Sequence, residues 1–160
     1  MVSGTQRFIK SSHMVGLNEF HFEWCTKYRY ESLRRPDINK EMTDFIRQAA
    51  SEYGFIIKIM AVGADHVHLD AMIPFNMSPS EAMGKIKGRS AYLIFRKHPN
   101  FRKRYPKGHF WSPGKFSRSM SGVSSDVVSN YIEEQQFEKL HESMELAKDE
   151  FRQMSLGNYL

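Results

Sequence analysis

Two small motifs hold residue types whose spacing can do chemistry: His66-Val67-His68, and Tyr131 with Gln135 four positions later. In an extended segment successive side chains alternate, so His66 and His68 share a face, where their imidazoles can hold one cation while Val67 turns to the core. Asp70 continues that polar face. An isolated His-x-His is weak by itself, since most such pairs are structural or surface residues. On a helix Gln135 lies one turn beyond Tyr131, so a phenol and an amide oxygen project together. A tyrosine of ordinary pKa, about 10, is a poor nucleophile at neutral pH, and a phosphodiester is a reluctant electrophile. A divalent cation relieves the second difficulty by polarising phosphate oxygens, and its field or a nearby base assists deprotonation. That chemical need is what links the two motifs.

The elements that must position these residues follow from the hydrophobic pattern. Residues 15–26 read as one strand with Leu17, Phe22 and Trp24 among its apolar positions. Residues 37–53 read as a helix capped by Asp37 or Asn39, with Met42, Phe45, Ile46 and Ala49 on one stripe and Gly54 as its stop. Two apolar runs, 55–62 and 66–73, separated by Gly63, Ala64 and Asp65, read as a hairpin. Ser78-Pro79-Ser80-Glu81 starts a second helix that runs to about Lys97. A polar basic loop follows over 100–108, then a strand interrupted by Pro113 and Gly114. Small residues over 119–126 form a hinge before a final helix over 127–148 that carries Tyr131. The order β-α-β-β-α-β-α predicts a single α+β domain over 1–160. Its expected architecture is the ferredoxin-like or RRM-like split βαβ, an antiparallel sheet with an added C-terminal helix bearing the tyrosine.

Charge is uneven along the chain. Eleven of the 23 Lys and Arg lie between Glu81 and Arg118, against one of the 18 acids, so the middle of the sequence is a polycation suited to phosphate backbones. Tyr92, Phe95, Phe101, Tyr105, Phe110, Trp111 and Phe116 are interleaved with it, some available to stack on unpaired bases and several needed for the core. With 41% hydrophobic and 26% charged residues and no apolar run near the roughly 20 residues of a membrane span, the composition is that of a soluble domain. The N-terminal residues lack the apolar region of a secretory signal, so a cytoplasmic location is expected. Cys25 is the only cysteine, which excludes an intramolecular disulfide and a cysteine-based zinc site.

Four segments, WCTKYRY (24–30), ADHVHLD (64–70), FWSPGKF (110–116) and NYIEEQ (130–135), together carry a resemblance. On them the chain resembles the TnpA-type insertion-sequence transposases, single-tyrosine members of the HUH class, over nearly its whole length. The resemblance implies that His66, His68 and Gln135 are ligands of Mg2+ or Mn2+ and that Tyr131 is the nucleophile. It implies cleavage and rejoining of single-stranded DNA with hairpin ends through a 5′-phosphotyrosine, by a homodimer whose active sites can be completed between subunits. Lys27, Arg29, Lys85, Lys87, Arg89 and Arg104 are the expected DNA contacts. Asp65 is either a turn residue or a carboxylate behind a ligating imidazole, and Tyr28 and Tyr30 either pack or stack. His13, His21, His98, His109 and His141 read as structural or surface residues. The rivals are an HUH replication-initiation or domesticated nuclease, and a non-catalytic single-stranded nucleic-acid binder on an RRM-like sheet. The second would leave His66, His68, Tyr131 and Gln135 to chance.

Overall fold

The computed structural model describes residues 9–10 and 15–120. A two-stranded ribbon pairs β1 (Ile9–Lys10) with β2 (Val15–Gly16). The main sheet comprises β3 (Glu19–Cys25), β4 (Ile56–Val62), β5 (His66–Met72) and β6 (Phe116–Ser119). Its spatial order is β4-β5-β3-β6 and every neighbouring pair is antiparallel. Helix α1 (Pro36–Glu52) connects β3 to β4, while α2 (Pro79–Lys97) and the short α3 (Phe101–Arg104) connect β5 to β6. The central strands are thus the first and third of the main sheet and its edges the second and fourth, which is the expected ferredoxin-like split βαβ.

Alternation assigns the faces. Phe22 and Trp24 on β3 and Val67, Leu69 and Ala71 on β5 are buried in one core with Ile38, Met42 and Ile46 of α1 and Ile86 and Ile94 of α2. Each large side chain buried there contributes about 1.5–3 kcal/mol, which fixes both helices on that face of the sheet. The opposite face carries Glu19, His21, Glu23 and Cys25 on β3 and His66, His68, Asp70 and Met72 on β5, because the side-chain period is two. A second aromatic layer, absorbing several of the rings considered for base stacking, joins Phe95, Tyr105, Phe110 and Trp111, with centroids 5.0 Å apart for Tyr105 and Phe110 and 4.8 Å for Phe110 and Trp111. Tyr92 and Phe116 stay exposed.

Several expectations need correction. The strand expected over 15–26 is broken at Leu17 and Asn18, where the Asn18 amide donates to the Ile73 and Pro74 carbonyls and so ties the start of β3 to the end of β5. Helix α1 starts on Pro36 without a side-chain cap. Asp37 is held by the Arg35 guanidinium at 2.6 Å, and the Asn39 amide donates to the carbonyls of Leu33 and Val62 at 3.2 and 2.9 Å, stitching the helix to β4 instead of capping it. Ser78, by contrast, does cap α2, accepting from the Glu81 amide at 3.1 Å. The basic stretch after residue 100 contains α3 rather than loop alone. Ser119, expected in the hinge, belongs to β6 and the Met120 amide after it donates to the Glu19 carbonyl at 3.0 Å, while residues 121–126 of that hinge and the helix over 127–148, with Tyr131 and Gln135, lie outside the described residues.

Lys87, expected on DNA, is buried, and its ammonium donates to the Ser112 and Gly114 carbonyls at 2.6 and 2.9 Å. Burial, with the Lys115 charge nearby, lowers its pKa to about 8. The amine here holds the 112–114 segment to α2. Lys87→Ala should therefore lower unfolding free energy by about 1–3 kcal/mol, the cost of leaving part-buried carbonyls unmet and losing the buried stem, read as a shift of the urea midpoint. An unmoved midpoint would show that the tether contributes nothing.

Candidate active site

The antiparallel register of β3 and β5 sets Cys25 opposite His66, Glu23 opposite His68 and His21 opposite Asp70. Polar residues of both strands therefore stack side by side on the face away from the helices. The His66 and His68 rings lie 5.4 Å apart at 77°, and the His68 and His21 rings 5.4 Å apart at 33°. His21, Glu23 and His68 each offer a ligand atom within 4.8 Å of the other two. The sequence reading missed His21 and Glu23, although a signal was present: they are two apart in a strand, as His66 and His68 are.

Hydrogen bonds define the state of each group. Asp65 stands 2.7 Å from Nδ1 of His66 through Oδ1, while its Oδ2 accepts from Nε of Arg29 at 3.2 Å. Asp65 is thus both the turn residue and the carboxylate behind an imidazole. Around His68, the next polar residue of β5, Glu23 Oε1 from β3 stands 3.2 Å from its Nδ1 and 2.9 Å from Nε2 of His21, whose Nδ1 meets the Asp70 carboxylate. Burial alone would lower the His21 pKa, but the hydrogen bonds to Asp70 and Glu23 and both carboxylate charges outweigh it and raise it to about 9. Burial would raise the Glu23 pKa, yet the bonds from His21 and His68 bring it down to about 2. His68 is shifted down, burial prevailing over the pull of Glu23. His21 and Glu23 are accordingly a charged pair, with the Asp70 carboxylate at the other nitrogen of the His21 ring, and burial biases His68 beside them toward its neutral form.

The turn after β3 aims Arg29. Tyr28 and Arg29 both adopt left-handed backbone, φ 60° and 56°, a conformation costing about 1–3 kcal/mol at each non-glycine residue. It is held because the Thr26 amide donates to the Asp65 carbonyl at 2.8 Å, the Thr26 hydroxyl donates to the Tyr30 carbonyl at 2.6 Å, and the Leu33 amide donates to the Ala64 carbonyl at 2.9 Å. Strain in the turn thus delivers the guanidinium to the carboxylate that orients His66. The same turn leaves Tyr28 and Tyr30 exposed, their rings 5.3 Å apart, with Lys27 5.3 Å from the Tyr28 centroid and Arg104 5.1 Å from that of Tyr30.

Of the other expected DNA contacts, Arg29 is engaged by Asp65, and Arg89 donates to both oxygens of Glu52 at 2.7 and 3.0 Å. Lys85 sits 5.1 Å from the Tyr53 ring centroid. Lys85 and Arg89 therefore bind α2 to α1 in the helical layer, across the sheet from the imidazoles. Lys27 and Arg104 are at the imidazole end.

The donor chemistry suits a divalent ion. Both histidines have Nδ1 against a carboxylate, and among the described residues neither Nε2 has a hydrogen-bond partner. An imidazole held in this way presents Nε2 as its lone-pair nitrogen, the arrangement usual behind metal ligands.

A ferredoxin-like sheet with a pair of carboxylate-backed imidazoles on the face away from its helices is the arrangement of a metal-dependent enzyme site. Residues 15–135 match the family model described as "Transposase IS200 like", and the chain belongs to that family of DNA strand-transferring, generally metal-dependent enzymes. It is similar to the ISDra2 transposase TnpA of Deinococcus radiodurans, 28% identical over 117 residues that cover 73% of this chain and 83% of that protein. It is 24% identical to the transposase for insertion sequence element IS200 of Salmonella typhimurium, over 73% of this chain and 76% of the other. A crystal structure of a candidate transposase from Deinococcus radiodurans R1 superimposes with a TM-score of 0.64 at 26% identity, covering 79% of this chain and 97% of that one. A REP-associated tyrosine transposase bound to a REP hairpin shares the fold at 13% identity and a TM-score of 0.51, over 81% and 76% of the two chains. No helix among the described residues is long and apolar enough to cross a membrane.

Gly63 closes the β4–β5 turn, its amide donating to the His66 carbonyl at 2.8 Å, and the His66 ring folds over it. A methyl group at Gly63 would stand 2.3 Å from Cε1 and 2.5 Å from Nε2 of His66, so the imidazole would have to move. Gly63→Ala should leave the fold intact but displace that ring from Asp65 and weaken metal-dependent DNA cleavage by at least about tenfold. Cleavage at the wild-type rate would show that the position of the His66 ring is immaterial.

Proposed function

We propose that this protein cleaves and rejoins single-stranded DNA at insertion-sequence ends by transesterification, with Tyr131 as nucleophile and His66, His68 and Gln135 holding Mg2+ or Mn2+. The observation that carries the reading is the pair of Nδ1-anchored imidazoles on the face of the sheet away from α1 and α2, in a chain whose family match extends through residue 135. Two imidazole nitrogens alone would suit a softer ion, so the assignment to Mg2+ or Mn2+ rests on the family and on phosphate oxygens completing the shell. When bound, the ion withdraws charge from the scissile phosphate.

In the proposed reaction the Tyr131 oxygen attacks the scissile phosphorus as its proton is lost, the P–O3′ bond breaks, and the departing 3′ oxygen takes up a proton. The 5′ phosphate is then esterified to Tyr131. A second 3′-hydroxyl attacks that phosphorus, a new phosphodiester forms and the tyrosine is released, so the bond count is conserved and no nucleotide cofactor is consumed. Fixing phenol and phosphate together supplies the proximity contribution to the rate. Lys27 and Arg104, beside exposed Tyr28 and Tyr30, provide charge and stacking surfaces for an unpaired strand at the imidazole end of the sheet. The hairpin held by the solved relative of the same fold supports hairpin ends as the substrate form. The protein is proposed to act as a cytoplasmic homodimer, in which either subunit's Tyr131 can serve a given histidine pair.

Incubation with Mg2+ and a single-stranded oligonucleotide bearing an element end should give a protein–DNA adduct on a denaturing gel. Tyr131→Phe should abolish the adduct while retaining DNA binding by mobility shift. Undiminished adduct in that variant would reject the nucleophile assignment, and a wild-type protein that binds without adduct would point to a non-catalytic binder.

A further inference from the structure

His21 and Glu23 lie beside the histidine pair, on the neighbouring strand and the same face, and have no part in the proposed ligand set. Proton accounting explains why they are there. Both ring nitrogens of His21 face carboxylates, Nδ1 that of Asp70 and Nε2 that of Glu23, and an ionised carboxylate only accepts. Both nitrogens of His21 must therefore carry hydrogen. His68 Nδ1 lies 3.3 Å from His21 Nε2 and 3.2 Å from Glu23 Oε1. The His21 Nε2–H is spent on Glu23 at 2.9 Å, and an unprotonated Nδ1 on His68 would set its lone pair against the same carboxylate oxygen at 3.2 Å, so His68 bonds as Nδ1–H to Glu23. Glu23 Oε1 then accepts from both imidazoles, and the lone pair of His68 falls on Nε2.

We propose that Glu23 is a positioning residue of the metal site: it fixes His68 as the Nδ1–H tautomer and so presents Nε2 as ligand, while His21, gripped between Asp70 and Glu23, holds that carboxylate in place. The inference rests on the reading of His68 as a metal ligand. It makes the two halves of the site alike. His66 is backed by Asp65, itself held by Arg29, and His68 is backed by Glu23, itself held by His21. Each ligand imidazole has an anion behind it and each anion has a cation behind it.

A competing use of the same residues is a metal triad of His21, Glu23 and His68, whose ligand atoms lie 2.9 to 3.3 Å apart. Those separations match the roughly 3 Å edges of an octahedron with bonds of about 2.1 Å. Such a triad would require His21 to give up the hydrogen it donates to Glu23 and would leave two carboxylate charges to be met by the ion. In the positioning arrangement every hydrogen has an acceptor without any rearrangement.

Mn2+ titration followed by the EPR signal of the free ion, together with 15N spectra of histidine-labelled full-length protein, tests this. Metal-free wild type should show His68 as the Nδ1–H tautomer. Glu23→Gln, which keeps the shape and removes the charge, should shift His68 toward the Nε2–H tautomer and raise the Mn2+ Kd about 10- to 100-fold. His21→Gln should produce a smaller change in the same direction. A purely structural Glu23 would leave both the tautomer and the Kd as in wild type, which would overturn the proposal. So would loss of all Mn2+ binding in Glu23→Gln and His21→Gln with His66→Ala unaffected, the signature of the triad. Failure of the underlying reading is separate: His68→Ala would then bind Mn2+ as wild type does.

Discussion

The register of β3 against β5 is the constraint from which the rest of the site follows. Seven consecutive pairs, from Glu19 with Met72 to Cys25 with His66, set Glu23 beside His68 and His21 beside Asp70. What selects this register is mainly the other face, where Phe22, Trp24, Val67 and Leu69 are buried under the helices. A slip by one residue would turn those four outward and carry the imidazoles into the core, losing several large apolar burials at about 1.5–3 kcal/mol each. The hydrophobic face thus positions the polar one, and the charged groups need only satisfy one another.

They do so as alternating charge. Asp70, His21 and Glu23 form one chain against His68, and Arg29 and Asp65 form a shorter one against His66. Isolated, any of these charges would be costly to hold on a half-buried surface; arranged acid to base, each lowers the cost of its neighbour. The second chain also draws on the strained turn at Tyr28 and Arg29, which is anchored by backbone bonds from Thr26 and Leu33 to the β4–β5 turn. Strain is kept where it aims a guanidinium, and the same turn leaves two tyrosines facing outward beside Lys27 and Arg104.

Much of this was legible in the sequence. The two long helices, the hairpin and the split βαβ order follow from periodicity and from punctuation such as Ser78-Pro79 and Gly54, because these are local signals. The histidine pair was legible because its two members are neighbours along one strand. His21 and Glu23 were not, because their partners are 47 and 45 residues away and only the register brings them together. The tether made by Lys87 was hidden for a related reason: charge in a sequence says nothing of whether a carbonyl waits for it, and Ser112 and Gly114 lie on a distant segment. The alternation that hid Glu23 among apolar residues is itself the mark of a strand with one functional face.

The central claim is that His66 and His68 present their Nε2 atoms to one divalent ion. Electron spin echo envelope modulation on the Mn2+-loaded protein tests it most directly, since coupling to directly bound imidazole nitrogen is read without reference to activity. The account predicts two such nitrogens, one lost in His66→Ala, the other in His68→Ala, and neither in His21→Ala. Nitrogen coupling that survives both of the first two substitutions, or that disappears with His21, would contradict it.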